Sequence, residues 1–362
     1  MFFQTTCPDW GYDAVRILPE HRVAILQHGG IRGQFGKTGL ALLRYSEAQI
    51  VAVIDADCAG GSIPQLTGIP REVPIVASLH EALRYQPQVL VTGIAPPGGA
   101  LPEAWWQEVK EAVAAGLCVV NGLHTPMAEH PDLKPLLREG QWIWDVRREP
   151  PGLQLGSGAA WELPCLRVLT VGTDMAIGKM STSIELHRAS LRRGLRSAFI
   201  ASGQTGIMIA GDGVPLDAVR VDFAAGAVEQ VVLRYGREHD ILHIEGQGSL
   251  LNPASTATLP LIRGSQPTHL ILVHRAGQTH IRSYPHVPIP PLREVIRLYE
   301  MVASAAGAFA PAPVVGIALN TAHLSEEEAR QAIEQVQAET GLPCTDPVRY
   351  GAEKLLEAVL KS

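Results

Sequence analysis

One glycine-rich loop constrains this chain more than any other stretch. Apolar and β-branched residues run from 168 up to Gly172, and the loop that follows ends in Gly178 and Lys179. A run compatible with a helix comes next, at 183–188. The backbone amides of such a loop and the N-terminus of the helix face an anion, and the lysine reaches its oxygens. The pattern therefore predicts a phosphate-binding loop, with a plain glycine turn as the alternative.

The spacing of this loop departs from the standard magnesium-binding pattern. Five residues separate Gly172 from Gly178, one more than in the standard motif. Met180 follows the lysine and offers a metal no hydroxyl, whereas Ser181 and Thr182 come one and two positions later. We predict that the loop contacts a ligand, and that Ser181 is a magnesium ligand if the metal is used. The predicted contact residues are Gly172, Thr173, Asp174, Gly178, Lys179, Met180, Ser181 and Thr182.

Acidic and polar residues follow later strands of the same half. Glu245 ends an apolar stretch at 241–244, where folds of this kind place an acidic metal ligand, and burial there requires a cation or a donor. Asp222 precedes a predicted helix and is either a cap or a ligand. Asn320 ends the strand at 314–319, in a position suited to a nucleobase. Another strand leads into Gln204 and Thr205, which we expect beside the phosphate site and the substrate.

A polar, proline-stiffened loop spans residues 275–291. Its length and composition suit a lid over a substrate. His280 and Arg282 are chemically suited to recognising a carboxylate. A solvated surface loop is the alternative.

The first half alternates predicted strands and helices, as in a doubly wound parallel sheet. The segment from Gly30 to Gly36, followed by Lys37 and Thr38, has the same glycine-to-lysine spacing as the central loop, and Lys37 and Thr38 are predicted cofactor contacts. A loosened dinucleotide fingerprint with Asp55 as the ribose-binding acid, or a simple tight turn, explains the same residues. The loop at 94–99 is a further candidate, because ligands of such sheets bind at the carboxyl ends of strands.

The length of 362 residues suits two domains. A segment rich in Pro, Gly and Ser around 148–162 predicts a linker. The predicted architecture is α/β, with a Rossmann-like domain at 1–147 and a domain of the P-loop NTPase type, which binds a nucleotide or phosphate, at 163–362.

Composition excludes several classes of protein. The formal net charge is −6 and no dense basic run is present, which argues against nucleic acid as the main partner. Five scattered cysteines without a CxxC pair indicate a reducing compartment and no thiolate zinc site. The N-terminus lacks a signal-peptide pattern, and no apolar run approaches the roughly 20 residues of a membrane helix. We expect a cytoplasmic homodimer or higher homo-oligomer that acts on a small molecule, without membrane contact.

Two sets of motifs carry a family resemblance. Gly172-Thr173-Asp174, with Gly178-Lys179 and the later Glu245-Gly246-x-Gly248, resembles the dethiobiotin synthetase type of P-loop protein. The whole chain is more similar to a two-domain family long catalogued as domains of unknown function, which includes a class of D-glutamate N-acetyltransferases. The shared motifs are Gly36-Lys37-Thr38 with Leu42-Leu43-Arg44-Tyr45, Gly172-Thr173-Asp174 with Gly178-Lys179-Met180, Asp222-Phe223 with Gly226, and Glu245-Gly246-Gln247.

The resemblance implies a Rossmann-like N-terminal domain, a P-loop C-terminal domain and acyl transfer to a D-amino acid. The leading hypothesis is an enzyme that uses acetyl-CoA or ATP, with Mg²⁺ where ATP is used, to acylate a small amino-acid-like substrate. Its predicted catalytic residues are Lys179, Glu245 and Asp222, with Glu245 doubling as a metal ligand. An ATP-dependent ligase of the dethiobiotin synthetase type and a non-catalytic nucleotide-binding regulator are the alternatives. An NAD-dependent oxidoreductase is disfavoured, because a clean GxGxxG and an evident acid/base set for hydride transfer are missing.

Overall fold

A computed structural model describes residues 15–33, 35–96 and 101–362. The protein consists of two compact units. Of the described residues, the C-terminal unit contains Pro150–Gly203 and Leu216–Ser362, and the N-terminal unit contains those from 15 to 149 together with Gln204–Pro215. The short segment Gln204–Pro215, which the domain prediction placed in the second half, therefore groups with the first.

The N-terminal unit is built on a parallel sheet flanked by helices. Its described strands follow the order β3-β2-β1-β4-β5-β6. The strands are β1 Arg22–Leu26, β2 Gln49–Ile54, β3 Ile75–Val76, β4 Val89–Thr92, β5 Cys118–Asn121 and β6 Ile143–Asp145. The helices are α1 Lys37–Tyr45, α2 Ile63–Thr67, α3 Leu79–Ala82, α4 Glu103–Ala114 and, from the later segment, α6 Gln204–Ala210. The strand order reverses between β1 and β4, as in Rossmann-like sheets.

The C-terminal unit contains a second parallel sheet, in the order β14-β13-β10-β7-β9-β8 for its described strands. These strands are β7 Leu166–Gly172, β8 Ser197–Ile200, β9 Ile241–Ile244, β10 His269–Arg275, β13 Val314–Asn320 and β14 Cys344–Thr345. The helices are α5 Lys179–Arg192, α7 Val221–Gly236, α8 Thr258–Ser265, α9 Leu292–Ser304, α10 Glu326–Thr340, α11 Pro347–Tyr350 and α12 Glu353–Lys361. The α/β prediction is confirmed for both halves.

Burial explains why the central strands are the most apolar stretches of the chain. Strand β7 lies between β9 and β10, with helices on the faces of the sheet, so that all but its first residue are buried. A parallel strand covered on both faces has a nearly continuous hydrophobic sequence. The loop that leaves β7 at Gly172 is thus anchored to the centre of its unit.

The structure adds elements that the sequence pattern did not predict. The loop expected at 275–291 contains two short antiparallel strands, β11 His280–Ile281 and β12 Tyr284–Pro288. Strands β6 and β14 were also missed, because elements of three and two residues are too short to show an alternating pattern.

Some sequence predictions fall on residues that the structure does not describe. The absence of a signal-peptide pattern concerns the first residues, and part of the candidate loop at 94–99 lies in the gap at 97–100. Within the described part of the protein, no helix has the length and hydrophobicity needed to span a bilayer.

A candidate phosphate-binding site on the C-terminal unit

The loop between β7 and α5 has the geometry of an anion cradle. Gly178 precedes the helix with φ 115°, and Ala176 also has a positive φ, 54°. Such angles turn the chain so that successive N–H groups point to one side. Gly178 is the N-cap residue of α5, and among the described residues no side chain caps this end of the helix. An uncapped helix N-terminus of this kind binds anions.

Lys179 is folded back into the loop. Its Nζ donates a hydrogen bond of 2.7 Å to the backbone oxygen of Asp174, and the residue is only 6% exposed. The stem of the lysine covers Gly246, where an added Cβ would lie 3.1 Å from the lysine Cδ and 1.7 Å from the backbone oxygen of Thr170. The ammonium group is thus bonded to the loop itself, and the stem of the lysine lies over Gly246.

A hydroxyl network fastens this end of the helix to the sheet. The hydroxyls of Thr170 and Ser183 are 3.0 Å apart, and Thr170 Oγ1 accepts a hydrogen bond of 2.9 Å from the N–H of Gly246. Ser183 Oγ also donates to the backbone oxygen of Ile244, at 3.2 Å. These contacts tie β7, α5 and the end of β9 together beneath the cradle.

The two hydroxyls considered for a metal differ in accessibility. Thr182 is buried and Ser181 is half-buried, as is Met180. Within the described residues, no group of three or more His, Cys, Asp and Glu side chains could hold a metal by itself. A magnesium ion at Ser181 and Glu245 would therefore need phosphate oxygens of a bound ligand, as is usual for this ion.

Glu245 is buried and hydrogen-bonded to backbone groups. Its Oε2 accepts from the N–H groups of Ser202 and Gly203, at 2.9 and 3.2 Å, and Ser202 Oγ donates to its backbone oxygen at 2.7 Å. The donors expected for a buried carboxylate are therefore backbone amides of the segment that follows β8. The Gln247 amide also lies against Gly203, so that two polar side chains converge on this glycine.

Asp174 makes the densest set of contacts in the loop. Its Oδ1 accepts from the N–H of Met175 and from Asn252 Nδ2, at 2.7 and 2.8 Å. Its Oδ2 accepts from Gln278 Nε2 and from the N–H of Arg282, at 2.7 and 2.8 Å. Burial raises the pKa of this carboxyl, but the bonds from Arg282, Asn252, Met175 and Gln278 together hold it below its usual value. The carboxylate joins three segments of the unit.

Polar side chains from other strands and helices of the unit also form hydrogen bonds with the loop. Thr173 Oγ1 lies 2.9 Å from His274 Nδ1, and the hydroxyl of Tyr299, a fully buried residue, donates to the backbone oxygen of Gly172 at 2.7 Å. Asn320 Nδ2 donates to the backbone oxygen of Ile177 at 2.9 Å. Asn320, predicted as a cofactor contact, thus binds the cradle itself.

The remaining predicted residues of the C-terminal unit are exposed. Asp222 lies in the first turn of α7, but Arg220 is the N-cap residue, and among the described residues no side chain caps that helix. Asp222 therefore does not act as the cap residue, although a carboxylate in the first turn favours the helix dipole. His280 and Arg282 lie on the antiparallel pair β11–β12 and its turn.

The other four predicted contacts belong to the N-terminal unit. Thr38 Oγ1 lies 2.9 Å from Thr205 Oγ1, both threonines are buried, and Gln204 begins the same helix as Thr205. Lys37 is exposed at the start of α1. The structure thus brings Thr38 and Thr205 together, a pairing that the sequence did not reveal.

The first glycine loop is organised around side chains of its own unit. Asp55 is fully buried, and its carboxylate accepts from the N–H groups of Gly29 and Ile31, both at 3.2 Å. Added Cβ atoms at Gly36 and Gly39 would lie 2.4 and 1.9 Å from the amide of Gln27. Internal contacts therefore account for the acid and for these glycines, which favours the tight-turn interpretation over a dinucleotide site.

Comparisons with known proteins identify the family. Residues 154–356 match the DUF1611_C P-loop domain and residues 56–149 match the DUF1611_N Rossmann-like domain, both described as domains of unknown function. The chain belongs to the DUF1611 family. A crystal structure of a DUF1611 family protein from Anabaena variabilis is 69% identical, with a TM-score of 0.93 over 95% of this chain and 100% of that one.

Two relatives carry a functional name. A protein of Tritonibacter scottomollicae named D-glutamate N-acetyltransferase is 38% identical over 284 residues, 78% of this chain and 84% of the relative. A protein of a Pseudoalteromonas species with the same name is 35% identical over 282 residues, 77% of this chain and 83% of the relative. The resemblance to the two-domain family is thereby confirmed.

Four supporting residues of this DUF1611 site were not predicted as site residues: Asn252, His274, Gln278 and Tyr299. Each lies far along the chain from the glycine loop and reaches it only through the fold. A weak signal existed for Gln278, because the segment that contains it was already a candidate lid.

Acid should destabilise this DUF1611 protein through His274. Burial lowers the pKa of this imidazole to about 4 from an ordinary 6.5, so that the folded protein keeps it neutral while the unfolded protein takes up a proton. Its contribution to stability is thus complete above pH 6.5 and declines by up to about 1.4 kcal/mol per pH unit as the pH falls towards 4. Melting temperatures measured across this window should fall less steeply for His274→Asn. His286→Ala, on the exposed hairpin, is the control and should keep the wild-type slope.

Proposed function

We propose that this protein transfers the acetyl group of acetyl-CoA to the amino group of a small dicarboxylic amino acid, with D-glutamate as the first candidate. The observation that carries the proposal is its similarity, at 38% and 35% identity, to two proteins named D-glutamate N-acetyltransferase. The aligned stretch of 284 residues is longer than either unit of the structure and therefore includes parts of both.

The cradle fits the diphosphate of coenzyme A. Its uncapped helix N-terminus and the ammonium of Lys179 supply backbone donors and a positive charge. Met180 stands where an ATP site places the hydroxyl that holds magnesium to the β- and γ-phosphates. A diphosphate without a γ-phosphate does not need that hydroxyl.

Acetyl-CoA supplies the activated acetyl group, as a thioester. In the transfer, the nitrogen of the acceptor amine bonds to the acetyl carbon, the carbon–sulfur bond breaks, and the nitrogen gives up a proton to a base that passes it to the sulfur, so that coenzyme A leaves as its thiol. We assign the acceptance of this proton to Glu245, whose neighbour Gly246 is covered by the Lys179 stem. Asp222 is exposed, and we give it no contact with the reacting atoms.

A ligase that uses ATP is the second candidate. It is favoured by the partial exposure of Ser181 and by the acid at the end of β9, the two residues predicted to hold magnesium. In that case Ser181 replaces the missing hydroxyl at Met180.

The experiment incubates the whole protein with D-glutamate and either acetyl-CoA or a mixture of acetate, ATP and Mg²⁺. N-acetylated product is measured by mass spectrometry and free coenzyme A by thiol titration. We expect product from acetyl-CoA alone, at an unchanged rate in EDTA. L-Glutamate and D-alanine serve as acceptor controls. Product that requires both ATP and Mg²⁺ would refute the acetyl-CoA mechanism and establish the ligase.

A further inference from the structure

The Asp174 carboxylate has no capacity left for a ligand. An ionised carboxylate offers about four lone-pair sites. All are filled in the structure, since Oδ1 accepts from Met175 and Asn252 and Oδ2 from Gln278 and Arg282, at 2.7 to 2.8 Å. Asp174 was predicted to contact the cofactor. Its bonds indicate that it acts through the groups that donate to it.

The Oδ2 contacts fix one particular element, the hairpin formed by β11 and β12. Gln278 Nε2 donates to Asp174 and also, at 2.9 Å, to the backbone oxygen of His280, the first residue of β11. The N–H of Arg282, in the turn between the two strands, donates to the same carboxylate oxygen. Both ends of β11 are thereby fastened to the phosphate-binding loop.

This anchoring puts a cation within one side-chain length of the cradle. The Arg282 backbone is bonded to a loop residue, yet its side chain is exposed. Among the described residues, no ion pair or hydrogen bond engages its guanidinium. A guanidinium presents planar paired donors that match a carboxylate. The backbone of Arg282 is held in place while its guanidinium is accessible to solvent. Such an arginine is suited to binding an anion that arrives from solvent.

We propose that Arg282 recognises the side-chain carboxylate of the amino-acid acceptor and that Asp174 is the positioning residue that holds Arg282 beside the phosphate-binding loop. The assignment rests on the proposed acetyl transfer for the identity of the acceptor. The hydrogen bonds that carry it are independent of that reaction. The Asp174 carboxylate touches neither the acceptor nor the acetyl donor, and Arg282 touches the acceptor alone.

Direct binding tests the role of Arg282 without turnover. D-Glutamate and its monoamide D-glutamine are titrated calorimetrically into the whole protein, with no acetyl donor present. The wild type should prefer the dicarboxylate, and Arg282→Ala should lower that preference about 10- to 100-fold, the range expected for a charge-assisted contact. Arg282→Lys should retain part of it. An unchanged preference in Arg282→Ala would overturn the assignment.

The same titrations separate the acceptor carboxylate from a phosphate of the donor. Arg282→Ala should leave the Kd of acetyl-CoA within about twofold of the wild type. A large rise in that Kd with an unchanged preference among acceptors would show that Arg282 reads a phosphate, and would sink the proposal. Binding of D-glutamate without any acetylated product would instead refute the proposed reaction while leaving this assignment standing.

The positioning role has a readout of its own, amide hydrogen exchange in the hairpin. Asp174→Ala removes the oxygen that accepts from Gln278 and Arg282, so that the Arg282 N–H should exchange at least about tenfold faster. The preference for dicarboxylate should fall with it. Peptides from β10 serve as the internal standard. Unchanged exchange of the Arg282 amide would refute the positioning role.

Two further variants distinguish the loss of the hairpin contacts from a general loss of stability. Asn252→Ala removes a donor from Oδ1 and leaves both hairpin contacts on Oδ2, so the acceptor preference should stay within about twofold of the wild type. Gln278→Ala removes a hairpin contact and retains Asp174, so the preference should fall even if Asp174→Ala does not fold. Equal losses in both variants would mean that Asp174 serves only the stability of the unit.

Discussion

Replacing Lys179 with alanine should raise the Kd of acetyl-CoA by at least about 100-fold and reduce turnover to the same extent. The substitution removes a buried side-chain cation from the cradle, and charge-assisted bonds to phosphate are about twice as strong as neutral ones. The uncapped end of α5 remains, and residual binding should reflect its backbone donors. Isothermal titration with acetyl-CoA, followed by the thiol-release assay, measures both effects.

Lys37→Ala is the matched control for this variant. Lys37 follows its two glycines at the same spacing as Lys179 follows Gly172 and Gly178. It belongs to the other unit, however, and is exposed at the start of α1. We expect less than about a threefold change in acetyl-CoA binding. Lost binding in Lys37→Ala together with normal binding in Lys179→Ala would move the donor site to the N-terminal unit. Melting temperatures of both variants show whether either loss comes from unfolding.

The second large effect is expected from Gly246→Ala. The added Cβ would lie 1.7 Å from the backbone oxygen of Thr170, in the strand that carries the phosphate-binding loop, and 3.1 Å from the Lys179 stem. Because a strand backbone in the centre of a sheet cannot move aside, we expect a loss of about 3 kcal/mol in the free energy of unfolding. The melting temperature should fall by about 6 to 12 °C. The added methyl group should also displace the Lys179 side chain. Acetyl-CoA binding should therefore be weaker in the fraction of the variant that remains folded.

Gly156→Ala provides the comparison within the same unit. There the nearest atoms to an added Cβ are 3.4 Å away, an ordinary contact, and the backbone angle is open to alanine. Its melting temperature should stay within about 2 °C of the wild type or rise slightly, as when alanine replaces a glycine without strain. Equal stability of the two variants would show that the contact of Gly246 with β7 is less close than the structure indicates.

The sequence by itself determined the long central strands and the position of the loop that follows β7. Strand β7 is apolar because it is covered on both faces, and Gly178 is a glycine at a position where the backbone takes an angle, φ 115°, that disfavours a side chain. Both causes act over a few neighbouring residues, and so they leave a local pattern. The same holds for the alternation of strands and helices that predicted two α/β halves.

Only the tertiary structure decided which distant residues serve the site. Asn252 and Gln278 lie 78 and 104 residues from Asp174 along the sequence, and their bonds to its carboxylate exist because three strand ends converge at one edge of the sheet. The same cause places Asp174, predicted from the sequence as a ligand contact, at the centre of four hydrogen bonds to its carboxylate. Side chains recruited over such distances leave no periodic pattern in the sequence, because nothing local requires them.

The two lysine loops show the same division most clearly. Their glycine-to-lysine spacing is identical, so this local pattern cannot show which of the two loops binds a phosphate. The structure separates them by surroundings: Lys179 is buried against Gly246 and its Nζ is bonded within the loop, whereas Lys37 is exposed and the threonine after it is buried against Thr205. Burial and hydrogen bonding are properties of the folded environment, and a short motif encodes only the backbone turn that they surround.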